Sequence, residues 1–103
     1  MFYSASDTVG QIVLTASGVV GDSGKAQCLY GYAFKSGATA GTLTLFNGTS
    51  SVAPATVAFD QTGVISSTVF NPIGFGVMFT SGIYASMDGN ITRATFWVRQ
   101  FLS

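Results

Sequence analysis

Residues 91–98 read ITRATFWV and alternate between two kinds of side chain. The even-numbered positions carry threonine, alanine, phenylalanine and valine, whereas the odd-numbered positions carry isoleucine, arginine, threonine and tryptophan. Successive side chains of a β-strand point to opposite faces of its sheet, so this period of two predicts a strand with one buried face. We expect Phe96 and Val98 to face the core, and Arg93 and Trp97 to face outward.

Similar short segments, separated by turn residues, extend along the whole chain. Leucine alternates with threonine in residues 42–45, and glycine, proline, asparagine and aspartate separate the apolar segments at regular intervals. Eight segments at this spacing are typical of a sandwich or barrel. We therefore predict one domain over residues 1–103, an all-β, antiparallel two-sheet β-sandwich that is jelly-roll-like. The predicted strands are 11–17, 25–35, 42–47, 56–59, 64–70, 76–80, 83–86 and 91–100.

Turn preferences add two local expectations. Asp88 and Gly89 stand between two β-type segments and tolerate positive φ, which predicts a hairpin turn there. Pro54 and Pro72 are expected in connections, because proline cannot donate a hydrogen bond to a neighbouring strand.

The segment 25–35 carries apolar or small residues on both of its predicted faces. Tyr30, Tyr32 and Phe34 alternate onto one face, and Leu29 falls on the other. This pattern favours a central strand, or one that passes beneath a neighbouring subunit.

Charge is sparse for a chain of 103 residues. Charged residues make up 8% of the sequence, against roughly one-quarter in a typical globular domain, and the formal net charge is zero. The basic residues Lys25, Lys35, Arg93 and Arg99 are scattered along the chain, without the clustering that nucleic-acid binding requires. No stretch approaches the roughly twenty apolar residues of a membrane helix. We expect neither nucleic acid nor a membrane as a partner.

Most residue types needed for common catalytic sites are missing. There is no histidine, and Cys28 is the single cysteine, so the usual catalytic triads and zinc sites cannot form. Most of the four aspartates stand beside glycine or serine, where turn formation explains them. We expect no enzymatic activity, no metal and no cofactor. The apolar surroundings of Cys28 favour a buried thiol over an intermolecular disulfide.

Large apolar residues at both ends of the sequence predict contacts with other subunits. Phe2 and Tyr3 lie near the first residue, and Phe101 and Leu102 near the last. Trp97, on the outward face of the last predicted strand, is a further candidate for a subunit or partner contact, or else it covers the edge of its own core.

Two stretches resemble small proteins that are encoded among the structural genes of tailed bacteriophages. The first is residues 31–50, GYAFKSGATAGTLTLFNGTS, and the second is residues 76–85, GVMFTSGIYA, followed by GNIT at residues 89–92. The resemblance rests on hairpin and turn patterns and offers no catalytic residues to transfer.

The resemblance implies a structural protein of the virion, a capsid decoration (cement) protein that binds the outer capsid surface and stabilises the shell. It further implies self-association, often as a homotrimer, and the major capsid protein as partner. The expected location is the virion surface, after synthesis in the host cytoplasm. One alternative is a tail- or fibre-associated domain. Another is a carbohydrate-binding module that stacks sugars on Trp97, Tyr30 and Tyr32.

Overall fold

The computed structural model describes residues 9–53, 55–64 and 66–100. These segments contain eight strands and no helix, and hence no helix that could cross a membrane. The strands are β1 (Gly10–Leu14), β2 (Gly18–Val20), β3 (Gln27–Ser36), β4 (Thr42–Asn47), β5 (Thr56–Thr62), β6 (Thr68–Phe79), β7 (Ile83–Met87) and β8 (Ile91–Gln100).

The strands pair in a nested order along the chain. β1 pairs with β8, β2 with β7, β3 with β6 and β4 with β5, always antiparallel. Further pairing of β3 with β8 and of β4 with β7 joins these pairs into two sheets. Sheet A has the order β1-β8-β3-β6, and sheet B has the order β2-β7-β4-β5. This nested ribbon, rolled into two four-stranded sheets, is the predicted jelly-roll-like sandwich.

The core lies between the inner faces of the two sheets. Sheet A contributes large side chains from its central strands, including Phe96 of β8, and sheet B contributes leucines and an isoleucine. The threonine–leucine alternation of β4 is explained by this position, because Leu43 and Leu45 are buried while Thr42 and Thr44 face outward. The fully buried large side chains are Tyr32, Phe34, Phe79, Phe96, Leu29, Leu43, Leu45, Ile83, Gln27, Val20, Val98 and Ser36.

The turn at Asp88 is confirmed, but the hairpin is wrong. Ile91 donates its backbone N–H to the Asp88 carbonyl, and the Asp88 carboxylate accepts the backbone N–H groups of Asn90 and Thr42. The strands on either side of this turn, β7 and β8, belong to different sheets. The sequence signal for reversing the chain was therefore correct, whereas the strand partner is decided by packing across the whole domain.

Strand β6 replaces two predicted strands and contains a proline. It runs over twelve residues, and Pro72 lies within it opposite Gly31, not in a connection as predicted. β6 is the edge strand of sheet A, so it tolerates a residue without an N–H group on its unpaired side. The three-residue strand β2, which pairs with β7, lies between the predicted strands 11–17 and 25–35 and was not predicted. Pro54 lies outside the described residues.

A bulge in β3 changes the predicted faces of this central strand. The pairing of β3 with both neighbours shifts register between Leu29 and Gly31. Leu29, Tyr32 and Phe34 consequently all face the core, while Tyr30 leaves the face that it would share with Tyr32 under strict alternation.

Candidate functional site

The outer face of sheet A is formed by the side chains that alternate with the core residues of its strands. In β8 these are Arg93, Thr95, Trp97 and Arg99, since Ala94, Phe96 and Val98 are buried. The strand register then aligns them into rows across the sheet. One row consists of Val13, Thr95, Ala33 and Phe70, the next of Gln11, Trp97, Gly31 and Pro72, and a third of Arg99, Cys28 and Met78.

Several large apolar side chains on this face are exposed. The exposed fractions are 47% for Val13, 60% for Phe70 and 50% for Met78. Phe75, in the adjoining part of β6, is 99% exposed. At about 150–250 Å² per aromatic side chain, Phe70 and Phe75 alone present on the order of 300 Å² of apolar surface. The largest apolar patch of a typical monomer has about this area and is often functional, which makes this face a candidate binding surface.

Trp97 packs against Phe70 on this face. Their ring centroids are 5.5 Å apart with an interplanar angle of 84°, an edge-to-face arrangement. Because Gly31 stands between Trp97 and Pro72 in the register, no side chain of β3 separates the two rings. The half-buried Trp97 thereby forms the rigid centre of the apolar area, and Phe70 forms its more exposed side.

Phe75 is presented by an irregular segment of β6. Between Pro72 and Val77 the edge strand contains extra residues that have no partner in β3. Gly76 has φ 78°, and a Cβ there would lie 2.6 Å from the Cys28 sulfur and 2.8 Å from the Tyr30 ring. Glycine is therefore required by both its conformation and its close approach to β3. This segment covers Cys28, whose predicted burial is confirmed, and directs Phe75 into solvent.

Three of the four basic residues lie on the same face. Lys35 of β3 pairs directly with Arg93 of β8, and Arg99 lies on the same side of β8. The acids of the described segments, Asp22, Asp60 and Asp88, all lie outside the strands of sheet A. The Lys35–Arg93 pair could not be predicted from local sequence, because the two residues lie far apart in the chain and only the β3–β8 pairing brings them together.

A shallow depression lies between the paired cations. Its volume is about 40 Å³, and Ala33 lies in register between Phe70 and Thr95, where a larger side chain would fill it. The lining residues are Ala33, Phe34, Lys35, Thr68, Arg93 and Thr95. The site thus combines two cations, two hydroxyl groups and a neighbouring aromatic pair.

The outer face of sheet B has a different character. Hydroxyl groups pair across its strands, with Thr42 Oγ1 3.1 Å from Thr62 Oγ1 and Thr44 Oγ1 donating to Asp60 Oδ1 over 3.1 Å. Its aromatic pair, Phe46 with Tyr84, has centroids 6.4 Å apart. The polar groups of this face are largely satisfied within the sheet.

A larger cavity, of about 190 Å³, opens at one end of the sandwich beside the β4–β5 loop. Its lining is neutral, and the Asn47 amide is already engaged with Ser81 N and Thr80 Oγ1. Within the described segments no three histidine, cysteine, aspartate or glutamate side chains converge as metal ligands would.

The structure places one of the five predicted contact residues, Trp97, at the centre of the outer face of sheet A. Phe2, Tyr3, Phe101 and Leu102 lie outside the described residues. The sugar-stacking alternative loses one of its three aromatic residues. Tyr32 is buried, and its hydroxyl donates to Gln61 Oε1 and accepts from Asn71 Nδ2.

Comparison with known proteins finds no matching family model, no matching curated protein and no matching solved structure.

Proposed function

We propose that the chain is a non-catalytic structural subunit of a bacteriophage particle, a capsid decoration (cement) protein. In this proposal it binds the major capsid protein on the outside of the shell as an oligomer, with a homotrimer as the expected state. Many copies, each with modest contacts, stabilise the assembled shell because they bind the assembled form and not the dissociated one.

The exposed apolar area on the outer face of sheet A is the observation that carries this proposal. Phe70 and Met78 are exposed on β6, one edge strand of sheet A, Val13 is exposed on β1, the other edge strand, and Phe75 of β6 is fully exposed. Exposed apolar side chains on an outer sheet face, with a depression of only about 40 Å³, suit a broad protein partner better than a small ligand, which requires a concave site. The resemblance of residues 31–50 and 76–85 to phage structural proteins supplies the identity of the partner.

The decisive experiment is reconstitution on shells that lack the protein. Purified chain is added to shells of the phage that carries its gene, and bound protein is measured by cosedimentation and mass spectrometry. We expect saturable binding at a fixed ratio to the major capsid protein, and an increase in the temperature at which the shells rupture. Light scattering on the free protein determines its oligomeric state.

Phe70→Ser provides the sharpest variant, with Phe46→Ser on sheet B as its matched control. The first should weaken shell binding and the second should leave it unchanged in the fraction that folds. Absence of the wild-type protein from mature virions, together with no binding to shells, would sink the proposal.

A further inference from the structure

Two like charges occupy directly opposed positions on the outer face of sheet A. Lys35 and Arg93 are register partners on neighbouring strands, which places their Cβ atoms about 5 Å apart. Thr68 continues the row on the other side of Lys35. Opposed like charges destabilise a sheet, and none of the three described aspartates belongs to sheet A. This pair therefore lowers the stability of the isolated chain, and a bound anion would offset that loss.

The depression beside the pair defines the size of that anion. At about 40 Å³ it has room for one small polar group, far less than the several hundred Å³ of a ligand pocket. Lys35, Arg93, Thr68 and Thr95 line it, and each of these side chains carries a group that can donate a hydrogen bond to a carboxylate. The depression thus matches a single carboxylate group carried by something larger.

A second copy of the chain does not fit this surface. Packing sheet A against sheet A of another copy would offer Lys35 and Arg93 no carboxylate, because none of the described aspartates lies in sheet A. Packing sheet A against the outer face of sheet B, on the opposite side of the sandwich, would repeat without closing and would produce fibres.

A nucleic acid and an acidic glycan fit less well than an acidic protein surface. A nucleic acid or an acidic glycan would use the cations but would leave Val13 and Met78 without an apolar partner. Two paired cations also neutralise too few phosphates for strong nucleic-acid binding. A protein surface offers both an acidic side chain for the depression and apolar residues for the area around Phe70 and Trp97.

We infer that the outer face of sheet A docks onto a protein surface that presents an aspartate or glutamate carboxylate between Lys35 and Arg93, with apolar residues packed against Phe70 and Trp97. The inference rests on the proposed function for the partner's role in the particle, and it adds the docking face and the chemistry of the recognised group.

The charge requirement is tested first without any shell. Isotope-labelled protein is titrated by NMR with short poly-L-glutamate, and in parallel with oligothymidylate and with a hyaluronate oligosaccharide. We expect poly-L-glutamate to shift the amides of Lys35, Arg93, Thr68 and Thr95, and higher ionic strength to reduce the shifts. The double variant Lys35→Gln/Arg93→Gln should bind about tenfold more weakly, whereas Lys25→Gln, with a charge removed from the β2–β3 loop, should bind as wild type.

Either of two results overturns the inference. One is that poly-L-glutamate shifts other parts of the chain or none. The other is that oligothymidylate or hyaluronate binds this face more tightly than poly-L-glutamate, which would assign the surface to a nucleic acid or a glycan.

The shell assay then separates this inference from the proposed function. If wild-type protein binds shells and Lys35→Gln/Arg93→Gln binds equally well, the docking face is wrong and the decoration function stands. If wild-type protein does not bind shells while poly-L-glutamate binds between Lys35 and Arg93, the acidic docking site stands and the decoration function is wrong.

Discussion

The two outer faces of the sandwich differ in how far their polar and apolar side chains are paired within the chain. On sheet B, Thr44 and Asp60 satisfy each other across the strands, and Thr42 lies beside Thr62. On sheet A, Lys35 stands opposite another cation, and Phe70 remains mostly exposed. Sheet B pairs its polar groups within the sheet, and its large exposed apolar side chain is Val57, which is 58% exposed opposite Phe46. Among the described residues, no aspartate lies in sheet A, and Phe70, Met78 and Val13 are exposed on it together. A partner would supply an opposite charge and an apolar cover.

The difference also shows how few residues separate a solvent-facing sheet from a docking surface. Both faces carry one aromatic pair and a similar alternation of strands. The distinguishing features are the placement of the cations and the irregular part of β6 that presents Phe75. If the comparison is correct, substitutions on sheet B should change stability, whereas substitutions on sheet A should mainly change binding.

The largest change in stability is expected for a substitution at Gly76, whose backbone conformation shapes the irregular segment of β6. Gly76→Ala places a side chain at positive φ and against Cys28 and Tyr30, which should cost about 2–4 kcal/mol of unfolding free energy. Gly74→Ala is the matched control, because no atom lies within 4 Å of its added Cβ. Urea denaturation measures both. Equal stability of the two variants would contradict the packing of this segment against β3.

The second test compares the same substitution in the aromatic pair of each face. Phe46→Ala should cost about 1–2 kcal/mol, because Phe46 is half-buried against Tyr84, and should leave shell binding intact. Phe70→Ala should cost under about 1 kcal/mol, because Phe70 is mostly exposed, but should weaken binding. Urea denaturation and shell cosedimentation provide the two readouts. If both variants lose stability and binding in the same proportion, the two faces do not differ in function.

The fold was predictable from the sequence to the extent that local preferences decide it. The period of two in residues 91–98 correctly separated Phe96 from Trp97, and turn residues correctly separated most strands. Strand partners were not predictable in this way, as Asp88 shows, because a turn reverses the chain without specifying which sheet it enters.

The candidate site was predictable only in one residue. Trp97 was identified from its face of β8, but Phe70 and the Lys35–Arg93 pair were not. Pairing of distant strands creates these contacts, and no local pattern records it. The bulge at Leu29 and the irregular segment before Gly76 are equally invisible, since each depends on the register of two strands at once.

A smaller effect is expected from the hydroxyl pairs of sheet B. Thr44→Val removes the hydrogen bond to Asp60 and should lower the unfolding free energy by about 0.5 kcal/mol. Thr95→Val on sheet A is the counterpart, because Thr95 lines the depression. This second variant should keep the stability of the wild type and bind poly-L-glutamate less tightly. Thermal unfolding measures the stability of both variants, and NMR titration measures their binding. A loss of stability in Thr95→Val but not in Thr44→Val would contradict the roles assigned to the two faces.

The smallest expected effect is a change in stability whose sign tests whether Lys35 and Arg93 repel each other. Arg93→Glu converts the opposed like charges into an attractive pair with Lys35, so at low salt it should stabilise the chain by a few tenths of a kcal/mol. Lys35→Glu should do the same, and the double variant should return near the wild-type stability, since its two glutamates repel each other again. High salt should remove all of these differences. Urea denaturation across this double-mutant cycle measures the coupling. If the single variants gain stability and lose shell binding, the wild-type cation pair serves the partner at the expense of stability. If Arg93→Glu loses stability, the pair is not repulsive in the free chain.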